Sequence, residues 1–177
     1  MHDKLNCDIL LNFIKSRQSI RKFKNEPIKK EIIEKILECG RYAPSGLNNQ
    51  PWKVLIIQDN ELKFKLSELT HYESIIRNAP VNIAVFYDIE RGYNRVKDIL
   101  AIGAFIENII LAVHALNLGA VWLGEILNQK EKVNELFGLD ENKFELMAVI
   151  AMGKPDEKLK ELSDRERREI SEFCQWR

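Results

Sequence analysis

The sequence predicts one domain built as a β-sheet with helices on both faces. Three observations carry that expectation. The segments Val54-Leu55-Ile56-Ile57, Val81–Tyr87 and Glu145–Met152 are near-continuous apolar runs of strand length, and strands of that kind are covered on both sides. Helical patterns alternate with them; in residues 28–42, Ile28, Ile32, Ile33, Ile36 and Leu37 keep the 3.6-residue period. The chain's 177 residues are 45% apolar, with no repeat and no Ser/Gly/Pro linker, enough for a single core without disulfide or metal staples.

The elements follow in order. Residues 4–16 read as a first helix with Leu10, Leu11 and Ile14 toward the core. A basic loop, 17–27, ends at Pro27, and the helix 28–42 ends before Pro44. A turn-rich segment, 44–51, leads into the strand Trp52–Gln58. A helix over 60–69 precedes the strand Val81–Tyr87. Residues 96–118 form a long helix that is apolar on most of its circumference, which calls for burial in a domain centre or between subunits. Gly119 stops it before a short strand, Ala120–Leu123. A helix over 129–137 and the strand Glu145–Met152 complete the domain. The tail from Lys154 to Arg177 carries 14 charged residues in 24, seven of each sign. It has too little apolar content to fold alone, and Ile170, Phe173 and Trp176 are its available anchors.

Charge and cysteine content narrow the function. Lys+Arg and Asp+Glu are 27 each, so nothing favours a general nucleic-acid binder, which needs excess positive charge. Cys7, Cys39 and Cys174 are an odd number and far apart, a pattern suited to a reducing, cytoplasmic compartment. Cys39 reads as a small apolar filler, and His114 as a core histidine. No signal-peptide h-region and no clean apolar run of membrane length is visible. There is no metal-ligand spacing, no G-x-S-x-G elbow and no Walker loop.

Four segments could carry chemistry. Between Asp8 and Glu26 lie five basic residues and no acidic one. Within that stretch, Arg17-Gln18-Ser19-Ile20-Arg21 offers guanidinium forks and a hydroxyl suited to phosphate oxygens. Ala43-Pro44-Ser45-Gly46-Leu47-Asn48-Asn49-Gln50-Pro51-Trp52 combines a glycine that lets backbone approach a flat ligand with amides matching a pyrimidine-like edge. The third runs from Gly103 to Gly124 and closes with Gly119-Ala120-Val121-Trp122-Leu123-Gly124-Glu125. The fourth is Gly153-Lys154-Pro155 with the later Asp164-Arg165-Glu166-Arg167-Arg168. Taken singly, each also reads as a solvated loop, a connector or plain core.

Taken in order, they resemble the nitroreductase family of FMN-dependent oxidoreductases in its compact form. The matching pieces are Arg17-x-Ser19-Ile20-Arg21-x-Phe23, Ala43-Pro44-Ser45-Gly46-x-Asn48-x-Gln50-Pro51-Trp52, Asn108 with Leu118-Gly119-Ala120-x-Trp122-x-Gly124, and Ala148–Gly153 before Lys154-Pro155. The resemblance runs from about Ile14 to the tail. It implies an α+β fold with a mixed central sheet flanked by helices, in an intertwined homodimer with two FMN sites at the subunit interface. Residues 1–177 would be a single FMN-binding domain, with 154–177 as an arm over the partner.

By the same resemblance, Arg17 and Ser19 would hold the FMN phosphate, with Gln18 in the same loop, and Arg21 would approach the N1/O2 edge. Pro44, Ser45 and Gly46 pass under one ring face from the other subunit, and Asn48 bonds the pyrimidine edge. The backbone of Leu123, Gly124 and Glu125 faces the N5 side, and Arg165 and Arg167 form a second phosphate clamp. The implied activity is two-electron, ping-pong transfer from NAD(P)H to nitro compounds, quinones or related small acceptors. No G-x-G-x-x-G follows a strand, so the nicotinamide is expected to visit only transiently. The competing readings are a non-enzymatic flavin-binding module and a dimeric scaffold whose site has decayed.

Overall fold

A computed structural model of the chain describes residues 7–157 and 165–177. The start of the expected first helix and residues 158–164 of the charged tail lie outside the described residues. The described residues form two units: one takes in residues 7–18 and 165–177, the other Ser19–Glu157.

The larger unit holds the sheet. β1 (Trp52–Ile57), β2 (Val81–Asp88), β3 (Gly119–Leu123) and β4 (Phe144–Gly153) lie in the spatial order β1-β2-β4-β3. All three neighbouring pairs are antiparallel; Val54 faces Val85, Ile83 faces Ile150, and Val121 faces Ala151. The parallel element of the sheet is a single bridge, Ser19 to Ala120, on the outer side of β3. A register shift between Val85 and Phe86 marks the middle of the β2–β4 ladder.

Alternation along β2 divides the core into two layers. Val81, Ile83, Val85 and Tyr87 join one apolar cluster, while Ala84 and Phe86 join the other. The first layer is covered by α2 (Lys30–Gly40) and α5 (Arg95–Ala115), through Ile33, Ile36, Ile102, Phe105, Ile106 and Ile109. The second is covered by α3 (Asn60–Ser67), α4 (Glu73–Asn78) and α6 (Lys130–Leu136), through Leu66, Ile75, Ile76 and Val133. Helices therefore do cover both faces, as the strand composition requires.

Local chemistry sets the ends. The Asp59 carboxylate accepts from Leu62 N–H at 2.9 Å and starts α3; Asn94 accepts from Lys97 N–H at 3.2 Å and starts α5. Ile28 precedes α2 rather than opening it, because Lys29 is extended. It occupies the position from which an apolar residue packs back onto the first turns, and it joins the cluster that contains Ile33.

Three expectations are corrected. The smaller unit's helix, α1 (Cys7–Ser16), buries nothing: Leu10, Leu11 and Ile14 are 44%, 52% and 48% exposed. The described part of that unit has no core for its apolar side to enter. Cys39 is exposed on α2, so it fills no gap, and His114 is half-buried rather than enclosed. The helix α4 had no expectation attached to it; six residues of mixed character, Glu73-Ser74-Ile75-Ile76-Arg77-Asn78, carry too short a period to read.

Candidate functional site

The expected phosphate loop straddles the point where the chain passes from one unit to the other, between Gln18 and Ser19. In the smaller unit, Arg17, Arg165 and Arg167 line one cavity of about 500 Å³ with Ile14 and Lys15. Four of those five residues are basic, and no described lining residue is acidic. The Arg165 guanidinium is fixed by main-chain carbonyls: Nη1 donates to Arg17 O at 2.5 Å and Nη2 donates to Lys15 O. Its Nε–H is buried and has no acceptor among the described residues. Arg167 donates to Glu166 O at 2.7 Å and is exposed. Gln18 is half-buried.

In the larger unit, Ser19 and Arg21 flank Ile20, whose N–H donates to Ala120 O at 2.9 Å. Ile20 is buried against Gly119, where an added Cβ would lie 2.6 Å from the Ile20 Cβ. Arg21 points an exposed side chain outward. Its main-chain N–H and that of Lys22 both donate to the Glu157 carboxylate, at 2.6 and 3.2 Å. The charge pattern of the loop gave no sign of this acid, which arrives from 136 residues away.

The second expected segment forms a loop around a cavity of about 550 Å³, lined by Arg41, Tyr42, Ala43, Pro44, Ser45, Asn48 and Gln50. Its backbone is unusual. Leu47, Asn48 and Gln50 all have positive φ, at 54°, 55° and 48°, which costs about 1–3 kcal/mol at each side-chain-bearing position. The Gln50 N–H donates to Ser45 Oγ at 3.1 Å, and the Gln50 amide reaches Asn48 O and Oδ1 at 3.3 Å each. At Gly46 an added Cβ would sit 2.0 Å from the Tyr93 hydroxyl, the outer end of a part-exposed side chain.

Leu123 is buried, and Gly124 follows it with an open side where an added Cβ would meet nothing within 4 Å. The Glu125 side chain turns away, accepting from Thr70 Oγ1 at 2.5 Å and His71 N–H at 3.1 Å. Those bonds, the Thr70 hydroxyl first among them, hold its carboxyl below the usual carboxylate range. The segment Thr70–Tyr72 is thus tied beside Gly124, a link that no local sequence signal announced.

Sequence reading also missed Asp98. It is fully buried on α5 and accepts four hydrogen bonds: Asn49 Nδ2 at 2.7 Å, Tyr87 Oη at 3.1 Å, and the N–H groups of Tyr93 and Asn94 at 2.9 Å each. Burial pushes its carboxyl up, but the donors outweigh that and leave it below its ordinary value. The signal was present as one acid among apolar residues at the start of a greasy helix.

Among the described residues, no helix is long and apolar enough to cross a membrane, and no His/Cys/Asp/Glu group is placed to hold a metal ion.

Comparison with known proteins gives a consistent picture. A model of the nitroreductase family matches residues 14–73 and 65–154. A provisionally named nitroreductase from Desulfovibrio desulfuricans, solved in complex with FMN, is 42% identical; the likeness covers 95% of this chain and 96% of that one at a TM-score of 0.88. A provisionally named NADH dehydrogenase/NAD(P)H nitroreductase of Archaeoglobus fulgidus is 36% identical over 152 residues, 84% of this chain and 87% of the relative. The NADPH:FMN oxidoreductase of Vibrio harveyi, at 22% identity and a TM-score of 0.85 over 94% of this chain and 76% of that one, shares the fold. With the family pattern matched over most of its length and a relative above 30% identity, the chain belongs to the nitroreductase family.

Proposed function

We propose that the chain is an FMN-dependent oxidoreductase that draws electrons from NAD(P)H and delivers them in pairs to small acceptors such as nitro compounds or quinones. The carrying observation is the arginine-lined cavity of Arg17, Arg165 and Arg167, in a chain 42% identical to one solved with FMN. The residues fit the cofactor's ionic end on independent grounds. Among the described residues, Arg165 Nε–H is a buried donor without an acceptor beside three further cations, and a phosphate oxygen is an acceptor that suits such a group.

FMN, when bound, supplies a ring that accepts and returns a hydride. The protein's share is to bind and orient. Arg17, Arg165 and Arg167 would hold the phosphate, and the resemblance adds the Ser19 hydroxyl, with Gln18 in the same loop. Arg21 would bring positive charge to the pyrimidine end, where negative charge develops. Pro44, Ser45 and Gly46, from the other subunit, would pass beneath the ring, and Asn48 would offer its amide to the edge. The backbone at Leu123, Gly124 and Glu125 leaves one side open for nicotinamide and acceptor in turn.

The working form in this reading is a homodimer in the cytoplasm, with the tail as an arm over the partner. Two features support self-association. Ile9, Leu10, Leu11 and Ile14 on α1 are exposed. On α5, Val96 and Leu100 are 70% and 71% exposed, and Gly103, one turn on, has open space beside it. Three free thiols, Cys7, Cys39 and Cys174, suit a reducing compartment. The test is spectroscopic: the purified chain takes up FMN saturably, and NADH or NADPH bleaches the bound flavin. Binding without bleaching by either nicotinamide would hand the case to a non-enzymatic flavin module, and no saturable binding ends the reading.

A further inference from the structure

We infer that Asp98 is a positioning residue for the cofactor loop: its carboxylate clamps the Asn49 side chain and the Tyr93 main chain, and so holds the Ser45–Gln50 loop, left-handed at Leu47, Asn48 and Gln50, in the form offered to the ring. This inference rests on the FMN reading above.

The carboxylate has a demanding address. It is fully buried, and its four donors are all neutral: one amide, one phenol and two backbone N–H groups. A buried charge without a counter-ion is expensive, so such a group persists only where hydrogen bonds replace water. The donors come from separate places. Tyr87 belongs to β2, Tyr93 and Asn94 to the turn entering α5, and Asn49 to the loop.

The loop cannot hold its own shape cheaply. Three of its residues carry positive φ without being glycine, a conformation that persists when the surroundings over-determine it. The surroundings here are the Asp98 node. Asn49 Nδ2 reaches Asp98 Oδ1 at 2.7 Å and Arg91 O at 3.1 Å, pinning the loop between its strained members Asn48 and Gln50. Two glycines make room for this arrangement. An added Cβ at Gly92 would lie 1.9 Å from the Tyr87 hydroxyl, and one at Gly46 would lie 2.0 Å from that of Tyr93. Both phenols therefore occupy space that a side chain would take.

The test uses the purified chain, FMN-loaded and stripped. Asn49→Ala removes the loop's side of the clamp. Asp98→Asn puts an NH₂ group where an acceptor oxygen faced donors. Amide exchange is followed at Asn48, Asn49 and Gln50, whose N–H groups bond Ser45 O at 3.1 Å, Gly46 O at 3.0 Å and Ser45 Oγ at 3.1 Å. Amides of β4 serve as the internal reference. Each variant is expected to speed loop exchange in the stripped chain about tenfold or more relative to β4, and to weaken FMN by about tenfold or more, the scale of a hydrogen bond to a charged group.

Uniform acceleration that includes β4 means a merely structural acid and overturns the inference. So does a loosened loop with unchanged FMN affinity, or an Asn49→Ala chain with neither effect. Should Asp98→Asn fail to fold, Asn49→Ala decides alone. A wild-type chain that takes up no FMN defeats the proposed function instead, and loop exchange in the stripped protein still reads the clamp.

Discussion

Gly119→Ala offers a sharp test of how the phosphate loop is seated. The new Cβ would stand 2.6, 2.7 and 2.8 Å from Ile20 Cβ, Cγ1 and Cγ2, roughly 1 Å inside the usual carbon–carbon separation. Rotating the Ile20 side chain cannot relieve this, because the nearest atom is its Cβ, fixed to the main chain. The main chain at Ile20 must lift from β3, stretching the 2.9 Å bond from its N–H to Ala120 O. Over-packing costs about 1–3 kcal/mol and the weakened bond about 0.5–1.5 kcal/mol, against about 0.4–1 kcal/mol recovered from a stiffer unfolded chain. The mid-range net loss is about 2 kcal/mol, or about 4–8 °C in Tm for a chain of this size. Thermal and urea unfolding measure it. FMN titration measures the second consequence, weaker binding as Ser19 moves with Ile20. Ile20→Val should not rescue the variant, since Val keeps Cβ and both γ carbons. A Gly119→Ala chain with Tm within about 1 °C of wild type and unchanged FMN affinity would refute the reasoning.

Other outcomes follow from the same geometry. Gly124→Ala has open space and a helical φ of −99°, so its Tm should stay level or rise slightly while FMN affinity falls, because the methyl group would stand on the ring's side; titration and calorimetry read the two separately. Arg17→Ala should weaken FMN by about 1.5–3 kcal/mol, the scale of a charge-assisted bond, and reduce the salt dependence of binding. Asp98 has a folded-state pKa below its unfolded value, so its contribution to stability is present above about pH 4 and is lost as pH falls through the lowered value; Tm measured from pH 2 to 7 should fall less steeply toward acid in Asp98→Asn. Leu10→Lys with Leu100→Lys should shift the sedimentation coefficient from dimer toward monomer, as both side chains are exposed in the single chain.

The layered fold was legible because β2 and β4 are apolar at nearly every position, which leaves no face for water. The cofactor-loop residues were legible as residue types, since Gly46 and Asn48 announce a tight, amide-bearing turn. Their support was not. Asp98 meets Asn49 across 49 positions, and Glu157 meets the Arg21 amide across 136; hydrogen bonds of such separation leave no periodic trace. The apolar stripe of α1 is visible in the period, yet Leu10, Leu11 and Ile14 stay exposed. Period reports that a helix has an apolar side and is silent on what covers it.

Three tryptophans occupy three surroundings. Trp52 on β1 stacks on Phe105 of α5, with ring centres 4.7 Å apart and planes 19° from parallel. Trp122 on β3 is 42% exposed and Trp176 is 93% exposed. Their indoles form a built-in optical gauge with separate dials. Emission from Trp52 tracks whether sheet and helix are still in register, Trp122 senses whatever approaches the outer strand, and Trp176 reports the C-terminal end by itself. Single-tryptophan versions of the chain would let each region's melting be watched in turn.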